Sequence, residues 1–269
     1  MFNSFVISSV YYGIEVWGGS HNTHLTKLEQ IINDGMRLIT GATARCNNAK
    51  LFLDTNLQSL VEKRDRTLLV MMFKIKNGHV PDYLSDLIPR ENREIIQYKL
   101  RNARNIALPH AKKGCLTRSF VHLAITLWNK LPLKIRASKT LSAFKLALKK
   151  DHTGPNVLYY YGERWAAVHH ARLRIGCSKL NYDLCYNLKV MENNIPCQCG
   201  HEFETAYHFF MECVNYTDIR TTLQRKVEVA TAFSLKTLLY GASHLSLEEN
   251  CAIFAAVHEY IRDSTRFDN

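Results

Sequence analysis

Residues 23–41 read THLTKLEQIINDGMRLITG, and their pattern decides the fold class. Leu25, Leu28, Ile31, Ile32, Met36 and Ile39 recur at helical spacing, which gathers them on one stripe of an α-helix. Nothing in the stretch alternates with the period of two that a half-buried strand needs. Thr23 is placed to cap the first N–H groups, and Gly41 to end the helix.

The same period returns along the chain. Leu57 to Asn77, with Leu57, Leu60, Val61, Leu68, Met71, Met72 and Ile75 on one side, predicts a second helix before Gly78. Phe120, Leu123, Ala124 and Leu127 predict another, broken by Leu131-Pro132. Thr140 is placed to cap one with Phe144 inward, and Glu163–Ile175 predicts one carrying a solvated His169-His170 pair. Two more follow, one on Tyr216, Ile219, Leu223 and Val227. The last opens with the capping box Ser246 and Glu249 and should bury Leu247, Phe254, Val257 and Ile261. Tyr98–Pro109 has extended character and Lys112-Lys113-Gly114 that of a turn, so a small β-hairpin is expected there. The fold class is mainly α. Thr153-Gly154-Pro155-Asn156 has the chemistry of a boundary and divides the chain into residues 1–152 and 157–269.

Charge is distributed unevenly. Residues 1–94 carry 11 Lys/Arg and 10 Asp/Glu, residues 95–150 carry 13 Lys/Arg and no acid, and residues 151–269 carry 11 and 14. The whole excess of +11 therefore lies in one tract, which points to a polyanionic partner, RNA or DNA. Arg101, Arg104, Lys112, Lys113, Lys145, Lys149 and Lys150 are the candidate phosphate contacts. Point charges read backbones rather than bases, so selectivity should be weak. No apolar run reaches the ~20 residues that span a bilayer, and no secretory signal is evident, so the chain is expected inside the cell.

Residues 196–213 read PCQCGHEFETAYHFFMEC. Cys197, Cys199, His208 and Cys213 follow C-x-C-x8-H-x4-C, three thiolates and one imidazole, a common structural zinc set. Gly200 lets the chain reverse after the first two. His208 and Cys213, five apart, can be aimed at one ion by a helical turn and its end. His201 and Glu204 are the alternatives to His208, Glu204 reading better as the cap of the helix that carries it. Four ligands close the sphere, so the expected zinc is structural. Two-metal nucleotidyl transfer needs paired carboxylates, and the chain has no Asp-Asp pair. It also has no phosphate-cradling glycine loop and no nucleophile elbow. Asp54 and Asp82 read as caps or turn residues.

Together these stretches resemble the carboxy-terminal part of a non-LTR (LINE, jockey-like) retrotransposon reverse transcriptase. The resemblance rests on Tyr12-Gly13 with Glu15-Val16-Trp17-Gly18, on Leu28–Gly41, on Ser119-Phe120 through Leu131-Pro132 with Phe144-Lys145, and on the Cys/His cluster with His208-Phe209-Phe210. It implies a helical thumb-like region gripping template and primer, then a zinc-bearing tail. The catalytic Asp-Asp palm would lie before Met1, so the chain is expected not to be an enzyme on its own. The alternative roles are a part of an RNA-directed DNA polymerase active only with that core, and a zinc-stabilised protein-interaction module.

Overall fold

A computed structural model describes residues 2–95, 103–148 and 156–268, of which Asn3 only in its backbone. The protein is mainly helical, with no strand among the described residues. Its principal helices are α1 (Asn22–Thr40), α2 (Asn48–Thr55), α3 (Leu60–Lys76), α4 (Phe120–Lys130), α5 (Leu141–Ala147), α6 (Arg164–Ile175), α7 (Thr217–Glu228), α8 (Leu235–Tyr240) and α9 (Leu247–Asp263). None is long and apolar enough to cross a membrane. Short polar side chains open most of them. Asn47, Ser119, Thr140 and Ser234 each accept a backbone N–H of the first turn, and Ser59 and Ser246 form full capping boxes with Glu62 and Glu249. Helix α1 starts one residue before Thr23, which therefore sits in the first turn and is not the cap.

The chain forms two compact units. Unit 1 comprises residues 1–32 and 58–152, and unit 2 comprises residues 33–57 and 153–269. The sequence division near residue 153 left 33–57 with the first half, whereas these residues cluster with the second.

In unit 1 the core is apolar. Phe73 of α3 stacks on Phe144 of α5 at 4.5 Å, with Trp128 of α4 5.8 Å from Phe144. Leu68, Met72, Ala124 and Ile125 fill in around them. Gly19 is required sterically, because a Cβ there would lie 1.9 Å from the Arg118 carbonyl oxygen. The expected hairpin is corrected. Its described part holds only an isolated antiparallel bridge between Glu91 and Ile106. The Asn129 side chain takes the place of a strand, accepting from the Ile106 N–H at 3.0 Å and donating to its carbonyl at 2.9 Å. One amide from α4 thereby satisfies both backbone groups that a ladder would have used. Lys113 precedes a single helical turn, Gly114–Thr117.

Unit 2 is built on α6, α7 and α9. Phe209, Phe210, Leu223, Phe254, Val257, Ile261 and Phe267 are buried together. The His169-His170 pair is not solvated but buried, 6% and 1% exposed. His170 bonds His258 of α9 at 3.2 Å and the Leu238 carbonyl at 2.9 Å. His169 lies against Trp165 and Phe267. Leu247, expected inward, is 58% exposed, because the capping box holds it at the helix mouth.

Candidate metal centre

The four candidate sulfur and nitrogen ligands come from two short pieces of backbone in unit 2. Cys197 and Cys199 lie on a tight turn. The Gly200 N–H donates to the Cys197 carbonyl at 2.8 Å, and the Cys197 N–H donates to the His201 carbonyl at 2.9 Å. Gly200 has φ +90°, a left-handed value that a side chain would strain. Beyond the turn, the chain enters a wide helical turn over His208–Glu212, closed by the Cys213 N–H on the His208 carbonyl at 2.8 Å. That bond spans five residues instead of four, so positions 208 and 213 return to one side. The cap is Thr205, whose hydroxyl accepts the His208 N–H at 3.0 Å. Glu204, expected in that role, does something else.

Cys197, Cys199, His208 and Cys213 place one ligand atom each within 4.8 Å of one another, and the group could hold a metal ion. Cys197 Sγ stands 3.7 Å from Cys213 Sγ, and Cys199 Sγ 3.2 Å from His208 Nε2. At 3.7 Å the two sulfurs are far outside the ~2.05 Å of a disulfide. Burial pushes the Cys213 thiol up to about 12 and raises that of Cys197, so these two stay protonated without a cation beside them, whereas hydrogen bonds from the His201 backbone and the two neighbouring thiols lower Cys199. Burial and the neighbouring His201 hold His208 below the usual imidazole range, leaving Nε2 available as a neutral donor. Its other nitrogen, Nδ1, is 3.5 Å from Glu212 Oε2. His201 stacks on the His208 ring at 4.1 Å and forms with His208 and Glu212 a second, more exposed group. Its Nδ1 already meets the Phe203 carbonyl at 3.1 Å.

Sequence reasoning missed the scaffold behind these ligands. Glu204 is 3% exposed and clamps Arg266 through two contacts of 2.7 Å, one to each carboxylate oxygen. It also accepts the Asn181 N–H at 2.9 Å, and Arg266 reaches the Lys179 carbonyl at 3.0 Å. This ion pair, buried on its Glu204 side, ties the start of the ligand turn to a loop before it and to Arg266. No local signal marks a partner 62 positions away.

The candidate phosphate contacts lie in unit 1. Arg104, Lys112, Lys113 and Lys145 are exposed, as are Lys130, Lys134 and Lys139 of the same tract. Arg136 is partly tied down, donating to the Arg104 carbonyl and to Asn105. Arg101, Lys149 and Lys150 lie outside the described residues. No known protein family, curated protein or solved structure matches the chain.

Proposed function

We propose that the protein is a non-catalytic nucleic-acid-binding module whose second unit is held by one structural zinc ion. The observation that carries the reading is the separation of two chemistries. A tract with 13 Lys/Arg and no acid exposes its described lysines in unit 1, and a three-sulfur, one-nitrogen cluster stands in unit 2.

Zinc suits the cluster by donor type and by size. Two thiolates each ~2.3 Å from a tetrahedral zinc stand about 3.7–3.8 Å apart, and the Cys197–Cys213 separation is 3.7 Å. Cys197, Cys199, His208 and Cys213 would hold the ion, with no position left for a reacting water. Glu212 would accept from His208 Nδ1–H and fix the ring's orientation, as carboxylates behind metal-bound histidines do. The test is metal content. Expressed protein should contain one equivalent of zinc, and Cys213→Ser should release it. Metal-free protein with an unchanged melt would remove the reading.

In unit 1, Arg104, Lys112, Lys113 and Lys145 would meet phosphates, joined by Arg101, Lys149 and Lys150. Binding should weaken steeply with salt, each neutralised phosphate adding about 0.7–0.9 to the log–log slope. Lys112→Ala with Lys113→Ala should lower that slope. A salt-insensitive association, or no shift in a gel with RNA or DNA, overturns this half. The resemblance to LINE-type reverse transcriptases supports the same assignment: a template-gripping region followed by a zinc-bearing tail.

A further inference from the structure

Unit 2 contains an open cavity of about 430 Å³ that the metal cluster does not use. Tyrosines line it from four different segments. Tyr159 stands before α6, Tyr182 follows α6, Tyr207 directly precedes the ligand His208, and Tyr240 ends α8. Tyr207 is 50% and Tyr240 46% exposed. Rings of this size usually gain from burial, and here two stand open around a hollow. The floor is rigid. Asp54 of α2 and Arg174 of α6 form a paired contact, Nε to Oδ1 at 2.5 Å and Nη2 to Oδ2 at 3.3 Å, with both side chains almost fully buried. The Arg174 guanidinium also covers the Tyr159 ring at 3.7 Å, and its carbonyl accepts the Tyr240 hydroxyl at 3.4 Å.

The rim is polar, with the Asp183 carboxylate held by Ser178 and Asn187 and one lysine beside it. Lys50 of α2 is exposed, and its ammonium reaches to 3.1 Å from where a Cβ on Gly176 would stand. No ion pair is formed by Lys50 among the described residues. A flat ligand with π-faces for the tyrosines and a negative charge for Lys50 matches both parts. The volume falls within the ~300–1,000 Å³ usual for small-ligand sites. An apolar side chain from a protein partner would fill the hollow but bring nothing to Lys50.

We propose that this cavity takes an unpaired nucleobase of a single-stranded nucleic acid, stacked on the open rings of Tyr207 and Tyr240, with the adjoining phosphate on Lys50. The inference rests on the nucleic-acid reading above and adds a site for single strands in unit 2, apart from the basic tract. Stacking accepts any base, because every base has a π-face, so the site selects for strandedness more than for sequence.

The experiment uses the full zinc-loaded chain with a fluorescent single-stranded oligonucleotide and a duplex of equal length. Tyr240→Ala and Lys50→Gln should each weaken the single strand, Tyr240→Ala by about tenfold, the effect typical of one lost stacking partner. Duplex binding should stay unchanged, and Tyr240→Phe should keep the single-strand affinity. Circular dichroism and zinc content confirm that each variant is folded. A photoreactive 5-iodouracil strand should crosslink to Tyr182, Tyr207 or Tyr240. Equal losses on both ligands, no loss in any variant, or crosslinks confined to residues 103–148 would overturn the proposal and leave the basic-tract reading standing. If the native chain binds neither ligand, both readings fall.

Discussion

Unit 1 buries almost nothing but hydrocarbon and aromatic rings. Phe73, Trp128 and Phe144 with their aliphatic neighbours form its core, and no described polar or charged residue there is fully buried. Unit 2 buries Thr40, Asp54, His169, His170, Arg174, Glu204, His208 and His258 among its apolar residues. The two units answer the same problem differently. A hydrocarbon core needs only volume and shape, and tolerates change in proportion to what is removed. A buried polar group needs its partner, and loses stability sharply when the partner goes. Unit 2 should therefore be the chemically sensitive half, to metal, to pH and to single charge deletions.

Metal removal tests that contrast most strongly. Chelation of the full chain should lower the transition of unit 2 and leave that of unit 1 in place. In isolated zinc fingers the ion contributes on the order of 10 kcal/mol. Here Phe209, Phe210, Tyr260 and Phe267, packed beside the ligand turn, keep part of the structure and reduce the loss. Differential scanning calorimetry with and without chelator reads it, and a chelated chain that melts as the loaded one does would show that the ligands do not hold unit 2.

Next come two substitutions of similar size and different cause. Phe144→Ala in unit 1 should cost about 3–5 kcal/mol through lost burial and the cavity left behind. Asp54→Ala in unit 2 should cost about as much, because Arg174 is left charged, buried and unpaired. A second substitution separates them. Asp54→Leu combined with Arg174→Met should recover much of the loss, while no partner change restores Phe144. If the double substitution is as unstable as Asp54→Ala in urea unfolding, the ion pair is not the source of the cost.

The same division explains what could be read from residues alone. Helix positions were legible because Leu68, Met72 and Ile75, or Phe254, Val257 and Ile261, repeat with the helical period. The cluster that could hold a metal ion was legible because its four residues crowd within 17 positions, 197–213. The polar partners of unit 2 were not. Asp54 read as a turn residue because Arg174 lies 120 positions away, and Glu204 read as a cap because Arg266 is equally invisible from its neighbourhood. His169-His170 read as solvated because polar residues are spread around α6, yet most of that helix is buried, so residue type and position on it say little about burial. In unit 1 the missed feature was also a long-range polar contact, Asn129 replacing the strand expected opposite Ile106.

Acid should find unit 2 first. Burial holds His169 at about 4, and burial with the Arg174 charge holds His258 at about 4 and His170 well below its ordinary value. These imidazoles are neutral when folded and take up protons on unfolding below pH ~6.5. Their contribution is thus complete above pH 6.5 and declines as pH falls from there toward 4. Unit 1 buries no histidine among the described residues, so its melting temperature should change less over that interval. His169→Phe keeps a ring between Trp165 and Phe267 and removes one proton site. It should flatten the decline at unchanged zinc content. A decline identical to that of the native chain would assign the acid sensitivity to other groups.

The smallest effect is the one that should not distinguish the units at all. Ser59 opens α3 in unit 1 and Ser246 opens α9 in unit 2, each accepting the N–H of a glutamate three residues on at 3.2 Å. Each glutamate returns a bond to its serine's N–H, at 3.3 Å from Glu62 and 2.8 Å from Glu249. These boxes are local, built from four consecutive residues, and owe nothing to metal or to buried charge. Ser59→Ala and Ser246→Ala should each cost about 1 kcal/mol, each in its own unit's transition and independently of chelator. If Ser246→Ala instead costs several times more in loaded protein than in chelated protein, the start of α9 is coupled to the metal cluster through Tyr260, whose hydroxyl bonds the Phe209 carbonyl at 2.6 Å next to His208. Unit 2 would then act as one cooperative network down to its caps, while unit 1 remained a sum of separate contacts.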